Sequence, residues 1–145
     1  MHMDLILWRH ADAQDGKPDL ERELTARGRK QAAAVAKWLR KRLPQGYELL
    51  ASPAARARQT AQALDPRMRI DRHLAPGASV EAILRAAGRR GTVVIVGHQP
   101  DLGRALAFLL TGKAADWRLA KGSLWWLAEE PPLVRAVVSA DLLQD

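Results

Sequence analysis

The sequence predicts one α/β domain spanning residues 1–145, a three-layer α/β/α arrangement whose sheet is mostly parallel, with helices on both faces. Three observations carry this reading. The short apolar runs Leu5-Ile6-Leu7-Trp8 and Thr92-Val93-Val94-Ile95-Val96 lack the alternation of a half-exposed strand and fit strands covered on both faces. Stretches with apolar residues at helical spacing separate such runs, so strand and helix alternate along the chain. A chain of 145 residues, 48% hydrophobic and 27% charged, suits a single core, and it contains no repeat, linker or low-complexity tract.

The first strand is expected from Asp4 to Arg9, and the polar residues 11–23, with Gly16 and Pro18, read as a loop. Thr25 is placed to cap the next helix through its hydroxyl. In that helix Ala32, Val35, Ala36, Leu39 and Leu43 define a buried stripe, and Pro44 and Gly46 end it. Tyr47 to Ala51 is a second strand. Ser52-Pro53 then opens a helix to about Leu64, because proline suits a first helical position where its missing N–H is not needed. Asp65-Pro66 breaks that helix, Met68 to Asp71 is a brief third strand, and Pro76-Gly77 leads to a helix from Ser79 to Ala87. Thr92 to Val96, bounded by Gly91 and Gly97, gives the strongest strand signal, and a helix follows from about Pro100 to Leu110. Ser123 to Ala128 and Val134 to Ala140, split by Pro131-Pro132, are two final strands at one side of the sheet.

Composition removes several classes of function. The absence of cysteine excludes disulfides, thiolate metal sites and a cysteine-phosphatase mechanism. No stretch approaches the ~20 apolar residues of a membrane span, and Met1-His2-Met3-Asp4 lacks the basic and apolar regions of a signal peptide. A cytoplasmic monomer with no membrane association is expected. With 23 Lys plus Arg against 16 Asp plus Glu, the net charge of +7 favours anionic partners: phosphorylated substrates, acidic proteins or nucleic acid. Much of that charge, in Arg27, Arg29, Lys30, Lys37, Arg40, Lys41 and Arg42, reads as the solvated face of one helix.

Ligands of open parallel sheets bind beyond the carboxyl ends of the strands. Three segments lie just past strand ends here: Arg9-His10, Ser52 through Arg56, and Gly97-His98. All three are expected to line one crevice. Two imidazoles and two guanidiniums make a poor cation site, because arginine stays charged. They make a good phosphoryl site, since guanidinium matches phosphate oxygens with paired hydrogen bonds. The helices opening near Ser52-Pro53 and after His98 would turn their positive ends toward the same crevice. A neutral imidazole can attack phosphorus through one nitrogen when the other N–H is held, and the cations around it stabilise the charge in flight. His10 would then attack and His98 would bind an oxygen, although spacing does not decide which histidine is the nucleophile.

Four segments in order resemble the histidine phosphatase superfamily. They are Arg9-His10-Ala11, Leu24-Thr25-Ala26-Arg27-Gly28, Ser52-Pro53-Ala54-Ala55-Arg56-Ala57-Arg58-Gln59-Thr60-Ala61, and Val96-Gly97-His98-Gln99-Pro100. The triplet alone is common; the ordered set is specific and spans nearly the whole chain. The short length and Gly97-His98-Gln99-Pro100-Asp101-Leu102 look most like the compact SixA-type phosphohistidine phosphatases. The resemblance implies a phosphoglycerate mutase-like fold and no metal or organic cofactor. It also implies His10 as the phosphorylated nucleophile, Arg9 and Arg56 as the phosphate-binding arginines, and His98 as the second histidine. Arg58 lies two residues on, but the Ser-x-x-x-Arg spacing favours Arg56. The implied activity is removal of a phosphoryl group from phosphohistidine in a partner protein, such as a histidine phosphotransfer domain, in signal transduction. A phosphomonoesterase of small metabolites and a non-catalytic basic binding module are the alternatives.

One departure stands out. Larger members of the family carry a carboxylate after the third strand that protonates the leaving oxygen, and His73-Leu74-Ala75-Pro76-Gly77 has none. Glu81 is the nearest candidate after it, on the expected exposed side of a helix. An acid matters most for a poor leaving group, so its absence suits the P–N bond of phosphohistidine. Gln99 is either a phosphate-binding backbone donor or only the start of a helix. His2 and His73 read as surface residues, and Trp117, Trp125 and Trp126 as core or sheet-edge packing. Asp12, Asp15 and Asp19 read as a solvated turn without a calcium-loop pattern. Ala107 stands where a phosphate-binding loop ending in Gly112-Lys113 would need glycine, and no Gly-x-Ser-x-Gly elbow occurs. Nucleic acid is not an expected partner.

Overall fold

A computed structural model describes residues 3–128 and 132–143; His2 and Pro131 lie outside the described residues. Its single six-stranded sheet has the order β3-β2-β4-β1-β5-β6. The strands are β1 (Met3–Arg9), β2 (Glu48–Ala51), β3 (Arg69–Ile70), β4 (Gly91–Gly97), β5 (Leu124–Ala128) and β6 (Leu133–Val138), and the helices are α1 (Ala26–Arg40), α2 (Ala55–Leu64), α3 (Val80–Ala87) and α4 (Asp101–Thr111). β1, β4, β2 and β3 are mutually parallel, whereas β5 runs antiparallel to β1, and β6 antiparallel to β5. The two last strands therefore extend one side of the sheet, as the sequence predicts.

The unbroken apolar runs are explained by cores on both faces. Ile6, Trp8, Val94 and Val96 face α1 and α2, where they meet Val35, Ala36, Leu39, Ala57 and Ala61. Leu5, Leu7, Val93 and Ile95 face α3 and α4, where they meet Ile83, Leu102, Ala105 and Leu106. Every second residue serves the opposite layer, so no position from Met3 to Trp8 or in the centre of β4 is left for a solvated side chain. Trp126 packs edge-on to Trp38, and Trp117 lies against Trp125. The tryptophans thus pack in the core and along β5.

Helix boundaries follow their caps. The Thr25 hydroxyl accepts from the Gly28 N–H at α1, and the Ser79 hydroxyl accepts from the Ala82 N–H at α3. The basic residues of α1 from Arg27 to Arg40, with Lys41 and Arg42 beyond it, are exposed. Two boundaries differ from expectation. α1 stops at Arg40, before Pro44, and Leu43 packs onto the core from outside the helix. Pro53 is not the first residue of α2: Ala54 is its N-cap, and Ser52 instead turns the chain by accepting the Ala54 N–H on its hydroxyl. Among the described residues no helix is long and apolar enough to cross a membrane.

Candidate active site

The carboxyl ends of β1, β2 and β4 are held level by backbone hydrogen bonds, from His10 N–H to Gly97 C=O at 3.1 Å and from Ser52 N–H to Val96 C=O at 3.1 Å. On the other side of β1, Arg9 N–H donates to Ser123 C=O, and Gly122 N–H donates to His10 C=O, each at 3.0 Å. His10 thus follows a strand anchored on both sides. The crevice above it, about 310 Å³, is lined by Arg9, His10, Arg56, His98 and Gln99 together with Ala13, Asp15, Arg22, Pro76 and Lys121. All five predicted site residues outside the general acid lie in it. Glu81 does not: it is exposed in the first turn of α3 and absent from the lining.

The two histidines face each other with ring centroids 5.1 Å apart. His10 Nδ1 sits 2.8 Å from the Ala11 carbonyl oxygen. A carbonyl can only accept, so the proton is assigned to Nδ1 and the lone pair to Nε2. Burial, with Arg56, Arg9 and Arg22 nearby, pushes the His10 pKa down to about 4, against the weaker opposing effect of the Ala11 carbonyl. At neutral pH this imidazole is uncharged and its Nε2 has no partner among the described residues, the state that a nitrogen nucleophile requires.

His98 Nε2 lies 2.8 Å from Ser52 Oγ. The buried Ser52 hydroxyl has no other acceptor for its proton among the described residues, so that proton is assigned toward His98 Nε2, leaving the His98 proton on Nδ1. Burial, then His10 and Arg56, depress its pKa to about 3. That Nδ1 is buried without a partner, as are Arg9 Nε and Arg56 Nε. A buried donor left unpaired costs about 1–3 kcal/mol. Here three such donors belong to residues of one crevice, and oxygens of a phosphoryl group would satisfy them.

The other donors of these arginines hold the walls. Arg9 Nη1 donates to the Leu119 carbonyl at 2.8 Å. Arg56 donates from Nη1 to the Asp19 carbonyl at 2.8 Å and from Nη2 to the Asp19 carboxylate at 3.1 Å. Arg22 meets the same carboxylate at 3.1 Å. Hydrogen bonding from Arg56, reinforced by both arginine charges, holds Asp19 below the usual carboxylate range. Arg58 instead donates to the Pro53 carbonyl, away from the lining. Thr60, with no exposed surface, links the pieces: its hydroxyl accepts from Ala11 N–H at 3.0 Å and donates to the Arg56 carbonyl at 2.8 Å.

Gln99 lines the crevice, and its side chain is spent on structure, donating to the Trp117 carbonyl at 2.9 Å and accepting from Gly103 N–H at 3.0 Å. Gly103 must lack a side chain, since a Cβ there would lie 1.7 Å from the Trp117 carbonyl oxygen. This packing fixes the segment that carries Lys121 to the rim. Asp12 is more than a solvated turn residue: it accepts from Thr25 Oγ1 at 2.7 Å and from Lys121 Nζ at 3.0 Å. Gly28 permits that approach, because a Cβ there would fall 1.9 Å from the Asp12 carbonyl oxygen. Arg22, Lys121 and Asp15 were not singled out as site residues by sequence. They reach the crevice through loops, where neither periodicity nor a strand end marks them. Asp101 receives Gly77 N–H at 2.9 Å and Ala78 N–H at 3.1 Å, which fixes the loop bearing Pro76.

The family model of the histidine phosphatase superfamily (branch 1) matches residues 5–79. An uncharacterized protein of Picosynechococcus sp. is 37% identical over 126 residues, covering 76% of each chain. Among solved structures, a provisionally assigned phosphohistidine phosphatase SixA from Nakamurella multipartitia superposes with a TM-score of 0.79 at 27% identity, covering 96% of both chains. The protein histidine phosphatase SixA complexed with tungstate gives a TM-score of 0.82 at 21% identity, covering 98% of this chain and all (100%) of that one. A phosphoserine phosphatase of Entamoeba histolytica in complex with 3-phosphoglyceric acid shares the fold at 17% identity, with a TM-score of 0.74 and coverage of 94% and 97%. The architecture is therefore the phosphoglycerate mutase-like one that the four ordered segments imply. On the family model's match, the chain belongs to the histidine phosphatase superfamily.

Proposed function

We propose that this phosphatase removes the phosphoryl group from phosphohistidine in a partner protein, through a phosphohistidine intermediate on His10. The observation that carries the reading is the neutral, Nδ1-anchored imidazole of His10 beside three unpaired buried donors of Arg9, Arg56 and His98. In the first step the His10 Nε2 lone pair forms a bond to phosphorus. The P–N bond of the substrate breaks, and its electron pair returns to the substrate imidazole, which is protonated on its other nitrogen and so leaves as the neutral ring. Arg9, Arg56 and His98 hold the oxygens as charge builds. Water then attacks the phosphorus, inorganic phosphate leaves, and the P–N electrons return to His10 Nε2. The guanidiniums disfavour a metal in this pocket, and the route uses no organic cofactor.

Two features support a protein-borne phosphohistidine. No carboxylate occurs in His73–Gly77, Glu81 is absent from the lining, and the carboxylate that does line it, Asp15, is exposed at the rim; an imidazole leaves more readily than an alkoxide and needs an acid least. The rim residues Asp15, Pro76 and Lys121 are exposed, so the crevice opens to a bulky partner. The likeness to SixA structures supports the same substrate class, and we read residues 1–145 as one catalytic domain. The test is hydrolysis of a phosphorylated histidine phosphotransfer domain beside a panel of phosphate monoesters. Preference for the phosphoprotein and loss of turnover in His10→Ala are expected. Equal efficiency on monoesters overturns the substrate, and an acid-labile phosphoryl group trapped on another residue overturns the mechanism.

A further inference from the structure

We infer that Asp15 is the general base that activates water against the phosphoryl group carried by His10. The inference rests on the phospho-His10 reading and adds the one proton acceptor that reading lacks. Among the described residues lining the crevice, Asp15 is the only carboxylate. It has no hydrogen bond or ion pair among the described residues. The other carboxylates nearby are engaged: Asp12 by Thr25 and Lys121, Asp19 by Arg56 and Arg22, and Asp101 by the amides of Gly77 and Ala78. Glu81 lies outside the lining altogether.

Although Asp15 is on a loop, the chain just before it is fixed. Ala13 bridges Leu24. Gln14 N–H donates to the Glu23 carbonyl at 2.8 Å, and Arg22 Nη1 donates to the Gln14 carbonyl at 3.0 Å. Gly16, at φ 138°, then turns the chain in a conformation that other residues rarely adopt. The result is an exposed, unengaged carboxylate presented from an anchored backbone at the mouth of the phosphoryl site. A group so placed can poise a water without competing for the oxygens held by the arginines.

The step balances as follows. A water O–H proton passes to an Asp15 carboxylate oxygen while the water oxygen bonds to phosphorus. The P–Nε2 bond of phospho-His10 breaks, and its electron pair restores the neutral imidazole. The proton on Asp15 then passes to solvent or to the departing phosphate.

Phosphoramidate, a small P–N phosphoryl donor, separates the two half-reactions. Phosphate release is followed by 31P NMR, and the phosphorylated enzyme by intact mass and acid lability, in the wild type, Asp15→Asn, Asp15→Glu and His10→Ala. General-base assistance contributes about 10²–10⁴-fold. Asp15→Asn should therefore slow phosphate release by at least about 10² while phospho-His10 accumulates, and Asp15→Glu should recover part of the rate. Asp15 is exposed, so circular dichroism should report an unchanged fold. Wild-type turnover in Asp15→Asn overturns the assignment, as does slowing without accumulation, which would place the residue before the intermediate. Failure of wild type and Asp15→Asn alike to form phosphoenzyme or release phosphate counts against the phospho-His10 reading itself.

Discussion

Thr60→Val tests whether His10, the proposed nucleophile, is held by a buried hydroxyl one helix away. The change preserves side-chain shape and removes the acceptor of the Ala11 N–H, at 3.0 Å, in a residue with no exposed surface. The Thr60 bond to the Arg56 carbonyl, 2.8 Å, disappears too. That carbonyl lies in the first turns of α2 and has a backbone alternative, so the orphaned Ala11 amide dominates the cost. A buried donor deprived of its partner costs about 1–3 kcal/mol. A central value of about 2 kcal/mol lowers Tm by roughly 4–8 °C for a chain of this length. Because the Ala11 carbonyl is the group that holds His10 Nδ1, kcat should fall more than the fold is weakened, with circular dichroism unchanged at 25 °C. Thr60→Ser should restore both properties. Differential scanning calorimetry and steady-state kinetics read the two effects. A Thr60→Val protein with wild-type Tm and kcat would refute the idea that this hydroxyl positions the loop.

Arg56→Lys keeps the charge and loses the planar fork. Charge-assisted hydrogen bonds contribute about 1.5–3 kcal/mol, so kcat/KM on the preferred substrate should drop roughly tenfold to a hundredfold; retention of full activity would show that charge alone suffices. Gly103→Ala would set a Cβ 1.7 Å from the Trp117 oxygen. That clash, at the upper end of about 1–3 kcal/mol, outweighs the gain of about 1 kcal/mol from replacing glycine in a helix, and urea titration should show net destabilisation. His10 and His98 have folded pKa values depressed from 6.5 to about 4 and about 3. The unfolded chain therefore binds protons that the folded one refuses. Their stabilising contribution is complete above about pH 6.5 and declines as pH falls toward 4. Tm should drop between about pH 6.5 and pH 5, above the carboxylate range, and the double variant His10→Asn/His98→Asn should flatten that slope.

How far the sequence could be read depended on whether a residue's role was local. Thr25 was legible as the cap of α1 because capping involves only a few neighbouring residues. The choice of Arg56 over Arg58 followed from spacing, and the structure places only Arg56 in the crevice. The convergence of Arg9-His10, Arg56 and His98 was visible because each follows the end of a strand. Asp19, Arg22 and Lys121 were not legible. Asp19 meets Arg56 and Lys121 meets Asp12 from distant parts of the chain, Arg22 bonds only within its own loop, and polar residues in a loop look alike whether they face solvent or an arginine. Pro53 misled for a related reason. Proline fits the start of a helix, but α2 begins two residues later, at Ala55, with the Ala54 N–H donating to the Ser52 hydroxyl just before it. Gly103 carried no signal, since the carbonyl that forbids its side chain comes from Trp117 on a separate segment.

The pairing of β1 has a consequence for how the protein is made. This strand, central in the sheet, forms its ladders with β4 and β5, and Trp8 Nε1 donates to the Gly122 carbonyl across 114 residues of sequence. During synthesis Leu5 to Trp8 leaves the ribosome before both of its neighbours, β4 from Gly91 and β5 from Leu124. Until they follow, an apolar strand with unsatisfied edges on both sides is left to chaperones or to misassociation. Pairings of such long range also make folding slow. His10, the proposed nucleophile, is thus attached to a strand that waits for both neighbours before it reaches its native surroundings, and ribosome-bound intermediates ending before β5 should contain no formed pocket around it.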